Sequence, residues 1–375
     1  MASPQVVVVG GGTGGTIVAN LIARKHPGSN VTMISRDAGH LYQPGLLYVP
    51  FGWVGPEQLV RPQQSLLDRR VRFIQDTATA IDPARRMVRT GGGEMSADAL
   101  VLATGARLVP DEVPGLSAAH HFYTPTAALR LRQALAEFRG GHIVVGVAGV
   151  PYKCPPAPLE FVLLLEWALR RRGLREKTKL TYVSPLPRAF PIESVADVIE
   201  PVMERRGIGL ATFFNVEEVD PAKRVVRSLE GEELSYDLLM LIPPHRGTAP
   251  VVADGIADRG DWIHTDRETL QVGGYEGIYA LGDATDIPVS KSGSAAHFEA
   301  HVLAERIAGG PLSNGSDPRY TGKVMCFLES GDHQATVLSF DYNHPPHPAA
   351  PNFTAFAMKR LFNRAYWHLV PPGRV

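Results

Sequence analysis

A run of valines closing on a cluster of glycines, Gln5-Val6-Val7-Val8-Val9-Gly10-Gly11-Gly12-Thr13-Gly14-Gly15, constrains this chain more than any other stretch. β-Branched residues without polar alternation read as a parallel strand buried on both faces. The glycines at 10, 12 and 15 have G-x-G-x-x-G spacing, and each has its own steric task. Gly10 permits a tight turn, Gly12 presents no Cβ to an approaching pyrophosphate, and Gly15 lets the next helix lie close to the strand. The pattern predicts a helix over Gly14–Lys25, its first amides aimed at the phosphates, and a second strand over Val31–Ser35. Strand, turn, helix and strand together specify a dinucleotide-binding unit, with Gly10, Gly12, Thr13, Gly14 and Gly15 on its phosphate side. Many such units end their second strand in an acidic residue that binds the adenosine ribose. Here Ser35 and Arg36 stand there, and Ser35 can still hydrogen-bond a ribose hydroxyl.

The chain has 375 residues, enough for two domains of ordinary size. Its 38 basic and 38 acidic side chains cancel, so no basic excess suggests a nucleic-acid partner. No signal peptide precedes the first strand and no long apolar run is present, so a cytosolic protein, or one on the cytosolic face of a membrane, is expected. No metal-binding cluster is read. Only two cysteines occur, Cys154 and Cys326. They cannot build a secreted-type disulfide framework but could form one redox pair.

Further along, His40–Gly45 reads as an apolar, aromatic loop containing Gln43 and Pro44. Val71–Ile74 reads as a strand, and Thr77–Ile81 with Met87–Arg89 as a meander turning at Asp82-Pro83. Asp98–Gly105 is a buried strand ending in the small residues Ala103, Thr104 and Gly105. A second βαβ unit follows: strand His142–Val147, helix Pro158–Arg171, strand Leu180–Val183. Its turn, Gly146 to Pro156, lacks a glycine fingerprint and carries Cys154 among three prolines instead. Strands over Tyr236–Ile242 and Tyr275–Ala280 come next. The latter runs into Leu281-Gly282-Asp283, ahead of a helix from near Ser294 to Ile307. Gly309–Pro318 reads as a linker. Short strands around Met325–Leu328 and Thr336–Phe340 then lead through a Pro/His-rich loop, Asn343–Pro351, into a basic, aromatic tail.

With Gly10–Gly15, Ala103-Thr104-Gly105 and Gly277–Asp283 in order, the chain resembles the flavoprotein disulfide reductases with two dinucleotide folds. The resemblance implies FAD as cofactor, with Asp283 bonded to its ribityl-phosphate part and the following helix aimed at the flavin ring. Its branch is set by Lys153-Cys154-Pro155-Pro156-Ala157-Pro158-Leu159-Glu160, Val324–Gly331, and Pro288–Gly293 with Ala296-His297. These look like the sulfide:quinone oxidoreductases and the related flavocytochrome c sulfide dehydrogenases. The chain lacks the C-x₄-C pair of glutathione-type reductases and the second glycine fingerprint of type II NADH:quinone reductases.

What the resemblance implies is an α/β protein with two Rossmann-like domains and a C-terminal appendage. An FAD domain is expected from residues 1–110 and 240–316, a second Rossmann-like domain from 111–239 with its nucleotide site replaced by the cysteine loop, and an appendage from 317–375. Cys154 and Cys326 are the expected redox pair, with Glu160 handling protons near the active sulfur; a surface glutamate at a helix N-terminus is the alternative for Glu160. Ala78, Gly282, Lys291, Gly293 and Ala296 join the residues above as cofactor contacts. Sulfide and a quinone are the implied substrates, with Phe327, Phe356 and Lys359 as quinone candidates. The sequence departs from the family in having neither a third cysteine nor a histidine in Pro187–Pro191; His120, His121 and His297 stand as further candidates. The aromatic and basic tail from Phe353 to Val370 suits either peripheral contact with the cytoplasmic side of the cell membrane or packing on the protein itself. Homo-oligomer formation stays open. The rival readings are a flavocytochrome c-type dehydrogenase, an NADH:quinone reductase and a flavin/thiol redox sensor without catalysis.

Overall fold

A computed structural model describes residues 3–248, 256–309 and 317–375. Strand β1 (Gln5–Val9) is the centre of a five-stranded parallel sheet. Around it stand β2 (Asn30–Ser35), β3 (Val71–Gln75), β4 (Ala99–Leu102) and β9 (Ile278–Ala280), in the order β9-β4-β1-β2-β3. Val6 pairs with Val31 on one side and Ala99 on the other. That two-sided burial explains why the run is valine throughout rather than alternating. Helix α1 (Thr13–Lys25) follows β1, and α5 (Gly293–Gly309) follows β9 and packs against α1. Their contact depends on small residues: a Cβ on Gly14 would lie 2.6 Å from Leu281 and 3.3 Å from Ala296.

A second parallel sheet has the order β7-β6-β5-β8, from β5 (Gly141–Val147), β6 (Thr178–Val183), β7 (Ile208–Ala211) and β8 (Leu238–Ile242). Helix α3 (Pro156–Arg171) joins β5 to β6, and α4 (Glu193–Arg205) joins β6 to β7. Each half also carries a three-stranded antiparallel meander, within residues 78–96 and 216–235, before the strand that returns beside its first strand. The internal repeat is therefore longer than the βαβ unit seen in sequence. An antiparallel pair, Ala106–Leu108 with His245–Gly247, marks where the chain leaves the first sheet and comes back to it.

The hairpin of β10 (Val324–Gly331) and β11 (Gln334–Phe340) and the final helix α6 (Phe353–Leu369) complete the chain. One hydrophobic cluster runs from Val8 of β1 through Val145 of β5 to Leu328 of β10 and Tyr366 of α6. The loop expected around His40–Gly45 is instead a short strand, Gly39–Leu41, and a 3-10 helix over Gln43–Phe51. Pro44 and Pro50 in that stretch hide any helical period. Helix α2 (Pro125–Glu137) was unread, although Thr124 caps it by accepting from the Ala127 amide and Pro125 opens it. Helix α4 was unread too, with Pro201 inside it. Most of the expected linker Gly309–Pro318 lies outside the described residues.

Candidate active site

The glycine turn bears out its steric logic. Gly10 has φ +116°, and a Cβ on Gly15 would sit 2.0 Å from the Gly10 carbonyl. A Cβ on Gly12, by contrast, meets nothing within 4 Å. The turn is thus closed toward the protein and open toward the cleft. No side chain caps α1 at Gly12, and its first turn contains no acid, so these amides are left for an anion from elsewhere. Across the cleft, Gly105 at φ +73° also faces open space, and the buried Thr104 hydroxyl has no hydrogen-bond partner among the described residues. These features fit the diphosphate and adenosine parts of FAD. At the end of β2, the Ser35 hydroxyl donates to the Asp37 carbonyl, leaving its lone pairs for a ribose hydroxyl. Arg36 is exposed and ion-paired with Asp37. Ala78 is buried at the start of the first meander, where it packs rather than offering a polar contact.

The other end of the cleft is charged. Burial raises the pKa of Asp283, while Lys153 and Lys291 pull it back down. The Lys291 ammonium donates to the carbonyls of Thr285 and Asp283 and lies 3.8 Å from the Trp262 ring centroid. Gly282, at φ +71°, comes close to Ala296, whose Cβ would be 3.3 Å from a side chain there. Gly293, at the start of α5, opens on free space. Gln43, next to Pro44, accepts a hydrogen bond from Lys153 at 3.1 Å.

Both cysteines are held at the entrance to α5. Cys154 takes the left-handed conformation, φ +50°, and its amide donates to the Lys291 carbonyl at 2.6 Å. Cys326 lies on β10, where the neighbouring Met325 amide donates to Ser294 Oγ at 2.8 Å. Residues 291–294 therefore tether both sulfur-bearing segments, although the cysteines are far apart in sequence. Both thiols are free. Burial pushes the Cys326 thiol up to about 12, against a hydrogen bond with Ser292. Burial also raises Cys154, helped by nearby Cys326 and Glu160 and opposed by Lys359.

Glu160 is not the surface glutamate that remained an alternative. It is 4 % exposed, in the second turn of α3. Its carboxylate accepts from the Glu329 amide at 2.6 Å and is ion-paired with Lys359. Lys359 also lies 3.5 Å from Glu329, whose carboxylate accepts from the Tyr48 hydroxyl at 2.7 Å. Two carboxylates around one ammonium hold Lys359 protonated despite its burial. Glu329 and Tyr48 were missed from sequence, because no local spacing connects them to Glu160. Phe327 lies beside Phe362, ring centroids 6.4 Å apart, whereas Phe356 stacks toward His333 at the hairpin turn. Phe327 has Phe362 as its ring neighbour rather than Phe356, and Met325, two residues before it on the same strand, is exposed. His297 pairs with His301, centroids 4.8 Å apart, and His120 and His121 line a cavity of about 220 Å³ with Arg130.

The tail both packs and protrudes. Inwardly, the Tyr366 hydroxyl is 2.9 Å from Thr13 Oγ1 and 2.9 Å from His40 Nε2, so α6 is fastened to the glycine turn. Burial lowers His40 to about 4, which keeps it neutral. Outwardly, Phe353 and Leu361 are 66 % and 69 % exposed, with Met358, Arg360 and Arg364 also in the open. No helix among the described residues is long and apolar enough to cross a membrane.

Residues 4–301 match the pyridine nucleotide-disulphide oxidoreductase family. The mitochondrial sulfide:quinone oxidoreductase of Mus musculus is 26 % identical over 98 % of this chain and 86 % of its own. The sulfide-quinone reductase of Aquifex aeolicus is 28 % identical over 88 % of this chain and 81 % of its own. The crystal structure of the sulfide:quinone oxidoreductase from Aquifex aeolicus superposes with a TM-score of 0.89 at 25 % identity, covering 99 % of this chain and 92 % of that one.

Proposed function

With the chain belonging to the pyridine nucleotide-disulphide oxidoreductase family, as an FAD-dependent enzyme of the sulfide:quinone oxidoreductase branch, we propose that Cys154 and Cys326 are the redox pair through which it oxidises sulfide. The observation that carries this reading is the tethering of both cysteine segments to residues 291–294, at the flavin-directed end of α5. Hydrosulfide attacks a Cys154–Cys326 disulfide: the disulfide S–S bond breaks, a persulfide S–S bond forms on one cysteine, and the other leaves as a thiolate holding the electron pair. FAD, when bound, supplies two-electron transfer between sulfur and quinone. Gly12, the α1 amides and Asp283 hold its diphosphate and ribityl parts, and Ser35 its ribose. Glu160 accepts protons at the sulfur site, with Lys359 neutralising its carboxylate in the resting state. Sulfane sulfur or polysulfide is the product.

The quinone side is the face shared by β10 and α6. Phe327, Phe362 and Met325 provide apolar surface there, and the Lys359 ammonium, ion-paired with Glu160, lies behind it. The exposed apolar and basic side chains of α6 suit the interface of an anionic bilayer. Double substitution of Phe353→Glu and Leu361→Glu should weaken binding to anionic liposomes at least about tenfold, on the scale of burying two large apolar side chains. FAD content and thermal stability should stay nearly unchanged, because both side chains are mostly exposed and the ring neighbour of Phe353 is Phe356 of its own helix. Sedimentation with liposomes equal to that of the unmodified protein would refute membrane contact by this face. Deleting the helix would not isolate it, because Lys359 and Tyr366 would be lost as well.

The test of the reductant is anaerobic. Sulfide should bleach the bound flavin, and a quinone analogue should restore its absorbance. NADH should act at least about tenfold more slowly, because the start of α3 cannot cradle a pyrophosphate. Pro156 and Pro158 have no amide hydrogen, and the Ala157 amide already donates to the Cys154 carbonyl. Bleaching by NADH as fast as by sulfide would overturn the assignment.

A further inference from the structure

We propose that Lys153 is a cofactor-site residue contributed by the second domain, a cation that raises the electron affinity of the bound FAD. Lys153 and Cys154 are neighbours in sequence, but the chain turns through the left-handed region at Cys154. The two side chains consequently have different surroundings. The groups that act on the Cys154 sulfur are Cys326, Glu160 and Lys359. Those around the Lys153 ammonium are Gln43, the Tyr123 ring at 6.0 Å, Asp283 and, more weakly, Cys154 itself. Gln43 and Asp283 both belong to the first domain and to the FAD cleft. Lys153 thus reaches across from the second domain to two residues of the cofactor cleft.

Its charge is also less committed than that of its neighbour. Lys291 is locked onto two backbone carbonyls and the Trp262 ring. The hydrogen-bond acceptor for Lys153 is the neutral amide of Gln43, and among the described residues no carboxylate is in ion-pair contact with it. Tyr123 fixes the backbone by donating to the Lys153 carbonyl at 2.7 Å, so the side chain projects from an anchored point. An ammonium that loses water beneath a bound cofactor is costly unless it meets negative charge. Two-electron reduction with uptake of one proton makes the flavin anionic, and a nearby cation then stabilises the reduced form over the oxidised one.

This inference rests on FAD occupying the cleft and is independent of sulfide as reductant. The test is accordingly the two-electron reduction equilibrium of the bound FAD, measured with a chemical reductant and a reference dye. Lys153→Met should shift that equilibrium toward the oxidised form by about tenfold, which is about 30 mV for two electrons. Lys153→Gln, which keeps a hydrogen bond to Gln43, should show the same shift. Lys153→Arg should stay within about threefold of the unmodified protein. If Lys153→Met and Lys153→Gln lose FAD while Lys153→Arg retains it, the cation is still required by the cofactor. An unchanged equilibrium in either neutral variant, or loss of FAD from all three, would overturn the proposal.

Discussion

Replacing either Cys154 or Cys326 by serine should lower sulfide:quinone turnover at least about a hundredfold while FAD stays bound, the scale of losing a covalent-catalysis residue. FAD should stay because none of the cofactor motifs, Gly10–Gly15, Ala103–Gly105 and Gly277–Asp283, contains a cysteine. The loss should be severe because a hydroxyl cannot form the persulfide or the leaving thiolate. Both thiols are held well above their ordinary pKa by burial, so ionisation must be assisted locally. The Lys359 charge favours the thiolate at both cysteines; Cys326 has in addition the Ser292 hydrogen bond, and Cys154 the Ala157 amide. The two variants should therefore differ in the step they block. One should retain a sulfide-dependent change in the flavin spectrum and the other should not. Stopped-flow absorbance under anaerobic conditions reads both quantities. Near-normal turnover in both variants would sink the cysteine mechanism.

The second large effect is expected at Gly12. Gly12→Val should weaken FAD binding at least about a hundredfold, roughly 2.8 kcal/mol, and yield a colourless protein. The structure makes this a clean experiment, because a Cβ at Gly12 collides with no protein atom. The variant should therefore fold, with the secondary structure and melting temperature of the unmodified apoprotein, and fail only in holding the cofactor. Gly15→Val is the contrasting change: its Cβ would sit 2.0 Å from the Gly10 carbonyl, so it should disrupt the packing of α1 on β1 itself. Ordinary FAD content in Gly12→Val would show that the diphosphate lies elsewhere.

These two experiments draw on different kinds of information. The place of Gly12 is legible in the chain because everything that defines it is local. Four valines, a glycine spacing and a helix occupy a contiguous stretch, and each acts through its own backbone or its immediate neighbours. The motifs at Ala103–Gly105 and Gly277–Asp283 are legible for the same reason, and their order carries the family resemblance that implies FAD. Helix α4 and the 3-10 helix at Gln43–Phe51 were less legible, because prolines inside them mask the period.

The surroundings of the cysteines needed the tertiary structure. Sequence could nominate Cys154, Cys326 and Glu160, but it left Glu160 open between a surface helix residue and a proton carrier. Folding resolves its environment by bringing Lys359 from α6 and the Glu329 amide from β10 onto its carboxylate. It also decides that α6 is fastened through Tyr366 to the glycine turn at Thr13, a contact across nearly the whole chain. Such contacts leave no periodic trace, since each depends on where separate elements are carried by the two sheets. The chain by itself determined the strands of the first βαβ unit and the glycine turn, which follow from neighbouring residues, and through its family resemblance the cofactor class; β7 and the second meander left no such local mark. Only the tertiary structure decided which charges surround each sulfur and which face of α6 remains exposed, because burial and long-range pairing exist only once the domains have packed.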